Sequence, residues 1–137
     1  MVLYDGHLWD PRAHRMLHSF DRFSLGSPGS SLFTPHGNEV IVDAQLWDVR
    51  MLKLIRSIPA FEGATVEYNH NGTVAYARYK AGTDKLLIVD GCDFTPIHTD
   101  KRTRSIRGLA LDDTDERVAV LECGGCTNVL CSDVRCR

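Results

Sequence analysis

The sequence predicts an all-β protein assembled from repeated β-propeller blades, and three observations predict it. The phrase Leu8-Trp9-Asp10-Pro11-Arg12 returns 38 positions later as Leu46-Trp47-Asp48-Val49-Arg50. A Trp-Asp dipeptide recurring at nearly forty residues marks blades of four strands each. The flanks repeat as well, and no stretch of ten or more residues carries a helical apolar stripe.

In chain order, each Trp-Asp phrase is followed by an apolar, basic, Ser, apolar run, Leu17-His18-Ser19-Phe20 and Ile55-Arg56-Ser57-Ile58. A strand-turn-strand pattern spans 33–42, recurs at 68–77 and recurs again at 111–120. The segments Leu87-Ile88-Val89-Asp90 and Ile97-His98-Thr99 fill the slots of the Trp-Asp strand and its successor, with the tryptophan lost and no Arg two places after Asp90. Segments 40–42, 65–68, 74–79, 86–89 and 118–121 are short and rich in β-branched and aromatic residues, as strands are. Gly37, Gly72, Gly82 and Gly91, with Asn, Asp and Pro neighbours, supply the tight turns between them. The repeats fall at 1–32, 33–67 and 68–110, with a partial blade at 111–137. Trp9, Trp47, Gly37 and Gly72 are the expected blade-building residues, each Trp packing between neighbouring sheets.

A chain of 137 residues holds about three blades of ~40–45 residues, whereas closed propellers carry about four to eight. The expectation is therefore an incomplete propeller, a piece of a larger ring. The net charge of −2 and a pI near 6.3 provide no global field for nucleic acid. The one basic run, Lys101 to Arg104 with Arg107, precedes Asp112, Asp113, Asp115 and Glu116 and reads as a solvated loop. There is no signal-peptide pattern and no apolar run near the ~20 residues of a membrane span, so no membrane partner is expected.

Catalytic and cofactor chemistry find no support. The six histidines lack metalloprotease spacing and none accompanies a nucleophile motif. Gly26-Ser27-Pro28-Gly29-Ser30 lacks the Lys-Ser/Thr of a phosphate-binding loop, and Asn71-Gly72-Thr73 reads as a β-turn. Cys123-Gly124-Gly125-Cys126, with Cys131 and Cys136, offers a C-x2-C pair and two further thiols. The second pair has four intervening residues and the cluster overlaps a strand-loop-strand segment, so ordinary reduced cysteines and no metal are expected.

The arginines remain. Arg12 and Arg50 are not needed to build a blade, yet both stand two places after the Asp of the phrase. The Asp is expected to accept hydrogen bonds from the following turn, and the residue two places on to emerge at the rim. A guanidinium there presents five donors in a rigid fork suited to carboxylates or carbonyls of another protein. The competing reading is a generic WD-repeat scaffold whose arginines pair with carboxylates on their own blades, each exposed pair being worth ~0–1 kcal/mol.

Paired W-D-x-R phrases resemble the substrate receptors of cullin-4 ubiquitin ligases, which dock on the damage-specific DNA-binding adaptor protein. The likeness extends from Leu3 onward, through Asp5-Gly6-His7, Leu17-His18-Ser19-Phe20-Asp21-Arg22-Phe23, Pro35-His36-Gly37-Asn38-Glu39-Val40-Ile41, Pro59-Ala60, Tyr68-Asn69-His70-Asn71-Gly72-Thr73-Val74 and Pro96-Ile97. These runs are similar to the last part of a receptor propeller. The resemblance implies that Asp10, Arg12, Asp48 and Arg50 contact the adaptor. It also implies a non-catalytic receptor that recruits proteins for ubiquitination, acting in the nucleus and also in the cytoplasm. Pro11 departs from the usual aliphatic residue, removing a backbone donor and fixing φ near about −65°.

Overall fold

The structure, a computed structural model, describes residues 1–20, 30–79, 85–101, 105–115, 117–122 and the backbone of 129–133. Every segment expected as a strand is one. β1 (Val2–Tyr4), β2 (His7–Asp10) and β3 (Arg15–Ser19) form one antiparallel sheet in chain order. β4 (Ser31–Phe33), β5 (Glu39–Val42), β6 (Gln45–Asp48) and β7 (Lys53–Ser57) form the next. A 3-10 turn, Pro59–Phe61, follows. β8 (Ala64–Tyr68), β9 (Val74–Tyr79), β10 (Lys85–Asp90) and β11 (Pro96–Lys101) make a third sheet, and β12 (Ile106–Leu111), β13 (Arg117–Glu122) and β14 (Val129–Asp133) a fourth. Drawn by hydrogen bonding, the strand groups span 2–19, 31–57, 64–101 and 106–133. The opening strand of a sheet thus starts a few residues ahead of the position that phrase-to-phrase spacing assigns to the repeat.

The chain divides into two compact units, Met1–Val66 and Glu67–Arg137, with the boundary inside β8. In the first unit, Leu8 and Phe20 pack with Val40, Val42 and Val49, joined at the margin by Leu3, Phe33, Trp47 and Leu52. Strand alternation explains the choice: Val40 and Val42 share one face of β5, and Ile41 lies on the other. The Ser30 hydroxyl joins this unit's parts by accepting the Val66 amide hydrogen at 3.0 Å. In the second unit, Val74, Tyr76, Leu86 and Ile88 pack with Ile106, Val118 and Val120. The Arg78 guanidinium adds a polar link by donating to the carbonyl oxygens of Ile106 and Arg107.

The three strand-turn-strand echoes share one turn geometry. Gly37, Gly72 and Asp115 each donate their amide to the carbonyl three residues earlier, at 2.9, 3.1 and 3.1 Å. All three have positive φ, near +71°, +71° and +58°. Glycine is the usual solution to that backbone, and Asp is among the few other residues that tolerate it. Asp115 uses its side chain for something glycine cannot do. Its carboxylate accepts the amide hydrogens of His70 and Asn71 at 2.7 and 2.9 Å, tying the β12–β13 turn to the β8–β9 turn. Replacing Asp115 with Gly retains the backbone and removes both bonds. A loss of about 1–3 kcal/mol is expected in denaturant unfolding, with faster hydrogen exchange at the amides of residues 70 and 71.

In the same turn, the Thr114 amide (3.0 Å) holds the Asp112 carboxyl below its ordinary pKa, aided by Asp113 and the Thr114 hydroxyl. This contribution is present above the ordinary carboxylate range and is lost as pH falls through the lowered value.

The tryptophans of the two phrases differ in burial. Trp47 packs against the Phe20 ring, with centroids 5.4 Å apart, as a tryptophan lodged between sheets should. Trp9 does not: it is 39% exposed. Leu8 turns toward the sheet β4–β7, so alternation puts Trp9 on the opposite face. There its cross-strand neighbours are Val2 and Met16, both exposed, and no described sheet of this unit covers them.

Candidate protein-interaction site at the Trp-Asp turns

The turn after each Trp-Asp strand is built by its aspartate. Asp10 Oδ1 accepts the amide hydrogens of Arg12 and Ala13 at 2.9 and 3.3 Å. Asp48 Oδ1 accepts those of Arg50 and Met51 at 2.8 and 2.6 Å. Four places after each Asp the backbone turns left-handed, at His14 (φ +49°) and Leu52 (φ +54°). The third sheet repeats this without the tryptophan or the arginine. Asp90 Oδ1 accepts from Cys92 and Asp93 at 2.8 and 3.1 Å, and Phe94 carries the left-handed φ of +64°. An Asx turn requires only a short acceptor side chain at the strand end, so the geometry survives loss of the neighbouring residues. The phrase therefore separates into a fold-determining Asp and a freely variable residue two places on.

That residue is exposed in the two complete phrases, as expected for Arg12 and Arg50. Neither guanidinium has a hydrogen bond or ion pair among the described residues. Pro11 does not disturb this, because the cap uses the amides of the next two residues and never that of position 11. Its counterparts Val49 and Gly91 use their amides to hold the preceding turn, donating to the Asn38 and Thr73 carbonyls at 3.0 and 2.8 Å.

Both turns lie at the same end of the first unit. The Gly6 amide, in the β1–β2 turn, donates to the Ser31 hydroxyl at 3.1 Å, and Ser31 lies opposite Val42 at the end of β5. The β1–β2 and β5–β6 turns are thus neighbours, and the two Trp-Asp turns share the opposite end.

The sequence reading named Asp10, Arg12, Asp48 and Arg50 as candidates, and the strand register sets two further cations beside them. Arg15 lies directly across the strand pair from Asp10, and Lys53 from Asp48. The signal was available, because both sit five places after the Asp of the phrase. The carboxylates themselves face their own turns. Asp48→Ala is accordingly expected to cost about 1 kcal/mol and to loosen the turn that carries Arg50, while Asp48→Asn, which retains an acceptor, should restore most of it. Thermal unfolding and amide exchange at residues 50 and 51 would show the difference.

Among the described residues no group of three or more His, Cys, Asp or Glu side chains is arranged to hold a metal ion. The terminal cysteine reading falls outside the described residues at 123, 126 and 136, and only backbone is described for 131. Most of the basic run, at 102–104, also lies outside them. No described helix is long and apolar enough to cross a membrane.

Antiparallel sheets of up to four strands in chain order, with repeated Asp-capped turns, define the class: a partial WD-repeat β-propeller. Known sequences agree. The chain is 33% identical over 87 residues to "DDB1- and CUL4-associated factor homolog 1" of Arabidopsis thaliana, covering 64% of this chain and 4% of that protein. It is 26% identical over 132 residues to "Protein mahjong" of Drosophila melanogaster, covering 89% of this chain and 8% of that protein. The protein of Caenorhabditis elegans with the same name as the plant protein is 23% identical over 133 residues, again covering 89% and 8%. The resemblance seen in the sequence is therefore to Vpr-binding protein and its homologues, over a small part of their length. No family model matches the chain.

Proposed function

We propose that this chain is part of a substrate-receptor subunit of a cullin-4 ubiquitin ligase. It docks on the damage-specific DNA-binding adaptor protein through the turns that carry Arg12 and Arg50. Its role is non-catalytic: it helps to hold the receptor, and the client proteins the receptor recruits for ubiquitination, on the ligase. The nucleus is the proposed place of work.

One observation carries the reading. Two exposed guanidinium groups, each on an Asp-capped turn of the same geometry, stand at one end of a unit and make no hydrogen bond or ion pair among the described residues. Side chains serving only their own sheets would be expected to contact a carboxylate there. The Asp oxygens that accept hydrogen bonds take them from backbone amides instead. The names of two relatives, which describe proteins associated with DDB1 and CUL4, support the choice of partner.

The test is co-purification of the adaptor with the intact protein that contains this chain, as wild type and as the Arg12→Ala/Arg50→Ala variant. Loss of adaptor from the variant, with unchanged thermal unfolding, is the expected result. Equal recovery from both would overturn the reading.

A further inference from the structure

We infer that Arg15 and Lys53 are second contact residues of the docking surface, so that each Trp-Asp turn presents a pair of cations to an acidic protein surface. The inference rests on the docking reading above and extends it to two residues outside the W-D-x-R phrase.

The geometry follows from the register. Arg15 is the cross-strand partner of Asp10, and Lys53 that of Asp48. Residues directly opposite in an antiparallel pair project to the same face, with Cβ atoms about 4.5–5.5 Å apart. The Asp side chain at that position bends into the turn to cap the amides that follow it. The cation opposite therefore stands beside the turn from which Arg12 or Arg50 emerges. The obvious internal role for such a cation is an ion pair with the Asp across the strands, and neither Arg15 nor Lys53 makes one among the described residues. Both are exposed.

The third Asp-capped turn acts as an internal comparison. It has the same hydrogen bonds and left-handed residue, yet Cys92 stands at the arginine slot and Thr95 five places after Asp90. Both cations are present where the phrase is complete, and both are absent where it is not. If the cation at the fifth position served the turn, the third turn would need one too. The pattern matches a surface requirement shared by two turns and absent from the third.

The partner's chemistry follows from the surroundings. Four cations and the Asp10, Asp48 and Glu39 carboxylates stand at this end of the unit, and Asp10 and Asp48 turn inward to cap their own turns. Met51, next to Arg50 in its turn, is 64% exposed, whereas Met16 and Leu54 pair with Trp9 and Trp47 on the other face of their strands. Pairs of exposed cations on two neighbouring turns fit a protein surface that offers carboxylates, the surface the docking reading calls for.

The experiment measures association of the adaptor with the intact protein at about 50 and about 500 mM salt, where screening lengths differ several-fold. The variants are Arg15→Gln/Lys53→Gln, Arg15→Glu/Lys53→Glu and Arg12→Ala/Arg50→Ala. The neutral pair should weaken binding about tenfold at low salt, chiefly through the association rate, and flatten the salt dependence. The reversed pair should weaken it about a hundredfold or more, while thermal unfolding stays at the wild-type value for the neutral pair. If Arg12→Ala/Arg50→Ala abolishes binding while both Arg15 and Lys53 variants bind as wild type does at low salt, this inference falls and the docking reading stands. If Arg12→Ala/Arg50→Ala also binds normally, both fall. Wild-type capture of duplex DNA in place of the adaptor, lost in the same variants, would overturn the choice of an acidic protein.

Discussion

Replacing Arg12 and Arg50 together by alanine is expected to weaken adaptor binding by several hundredfold to about a thousandfold and to leave the fold intact. Truncating an arginine anchor in an interface costs about 2 kcal/mol or more, and each 1.4 kcal/mol is a factor of ten. The two turns belong to separate sheets, so the two losses should approach additivity. Each guanidinium is exposed, so truncation removes no hydrogen bond or ion pair among the described residues. Denaturant unfolding of the variant should thus agree with wild type within about 0.5 kcal/mol. The single variants should be similar in effect, because the cap that positions Arg12 matches that of Arg50 despite Pro11. A much weaker effect at Arg12 would mean that the proline redirects its side chain in the complex. Destabilisation in proportion to the binding loss would mean that the arginines serve the fold.

The second large effect is expected at Gly91, which occupies the slot of Val49 and Pro11. A Cβ there would stand 2.3 Å from the Gly72 carbonyl oxygen and 2.8 Å from the Thr73 carbonyl carbon. These are backbone atoms of the neighbouring turn, so no side-chain rotation relieves the clash. The Gly91 amide bond to the Thr73 carbonyl, at 2.8 Å, depends on the same close approach. Gly91→Val should therefore separate the β8–β9 and β10–β11 turns, at a cost of about 3 kcal/mol in urea unfolding. In the first unit the equivalent Val49 is buried and its amide still reaches Asn38, at 3.0 Å. Val49→Gly should be destabilising there, through lost apolar burial and added backbone freedom, by about 2–3 kcal/mol. Opposite preferences at one slot in two sheets are the expected outcome. A stable Gly91→Val protein would show that the two turns are not held this closely.

Much of this was legible in the residue order. A 38-residue recurrence of Leu-Trp-Asp, the alternation in β5 and β9, and the turns at Gly37 and Gly72 establish an all-β repeat, because strand period and turn chemistry are local properties. Local chemistry also anticipated the Asp caps: a carboxylate at a strand end followed by a turn has amide hydrogens within reach whatever surrounds it. The equivalence of Asp115 to the turn glycines follows from the 78-residue echo, but its bonds to His70 and Asn71 do not, since they join positions 44 and 45 residues apart.

Tertiary structure alone decided the rest. Trp9 and Trp47 stand in matching phrases, yet Trp47 is packed on Phe20 and Trp9 is 39% exposed, because burial depends on which sheet lies against a face. Each of Arg15 and Lys53 stands opposite its capping carboxylate through the local turn, but only the packing of one sheet beside the other brings the two turns to the same end of the unit. Local sequence determined where the backbone turns and what caps it, over distances that a side chain can span. Which charges share a surface, and which aromatic rings are covered, was set by contacts between sheets, whose free energy belongs to pairs of distant segments and to neither one alone.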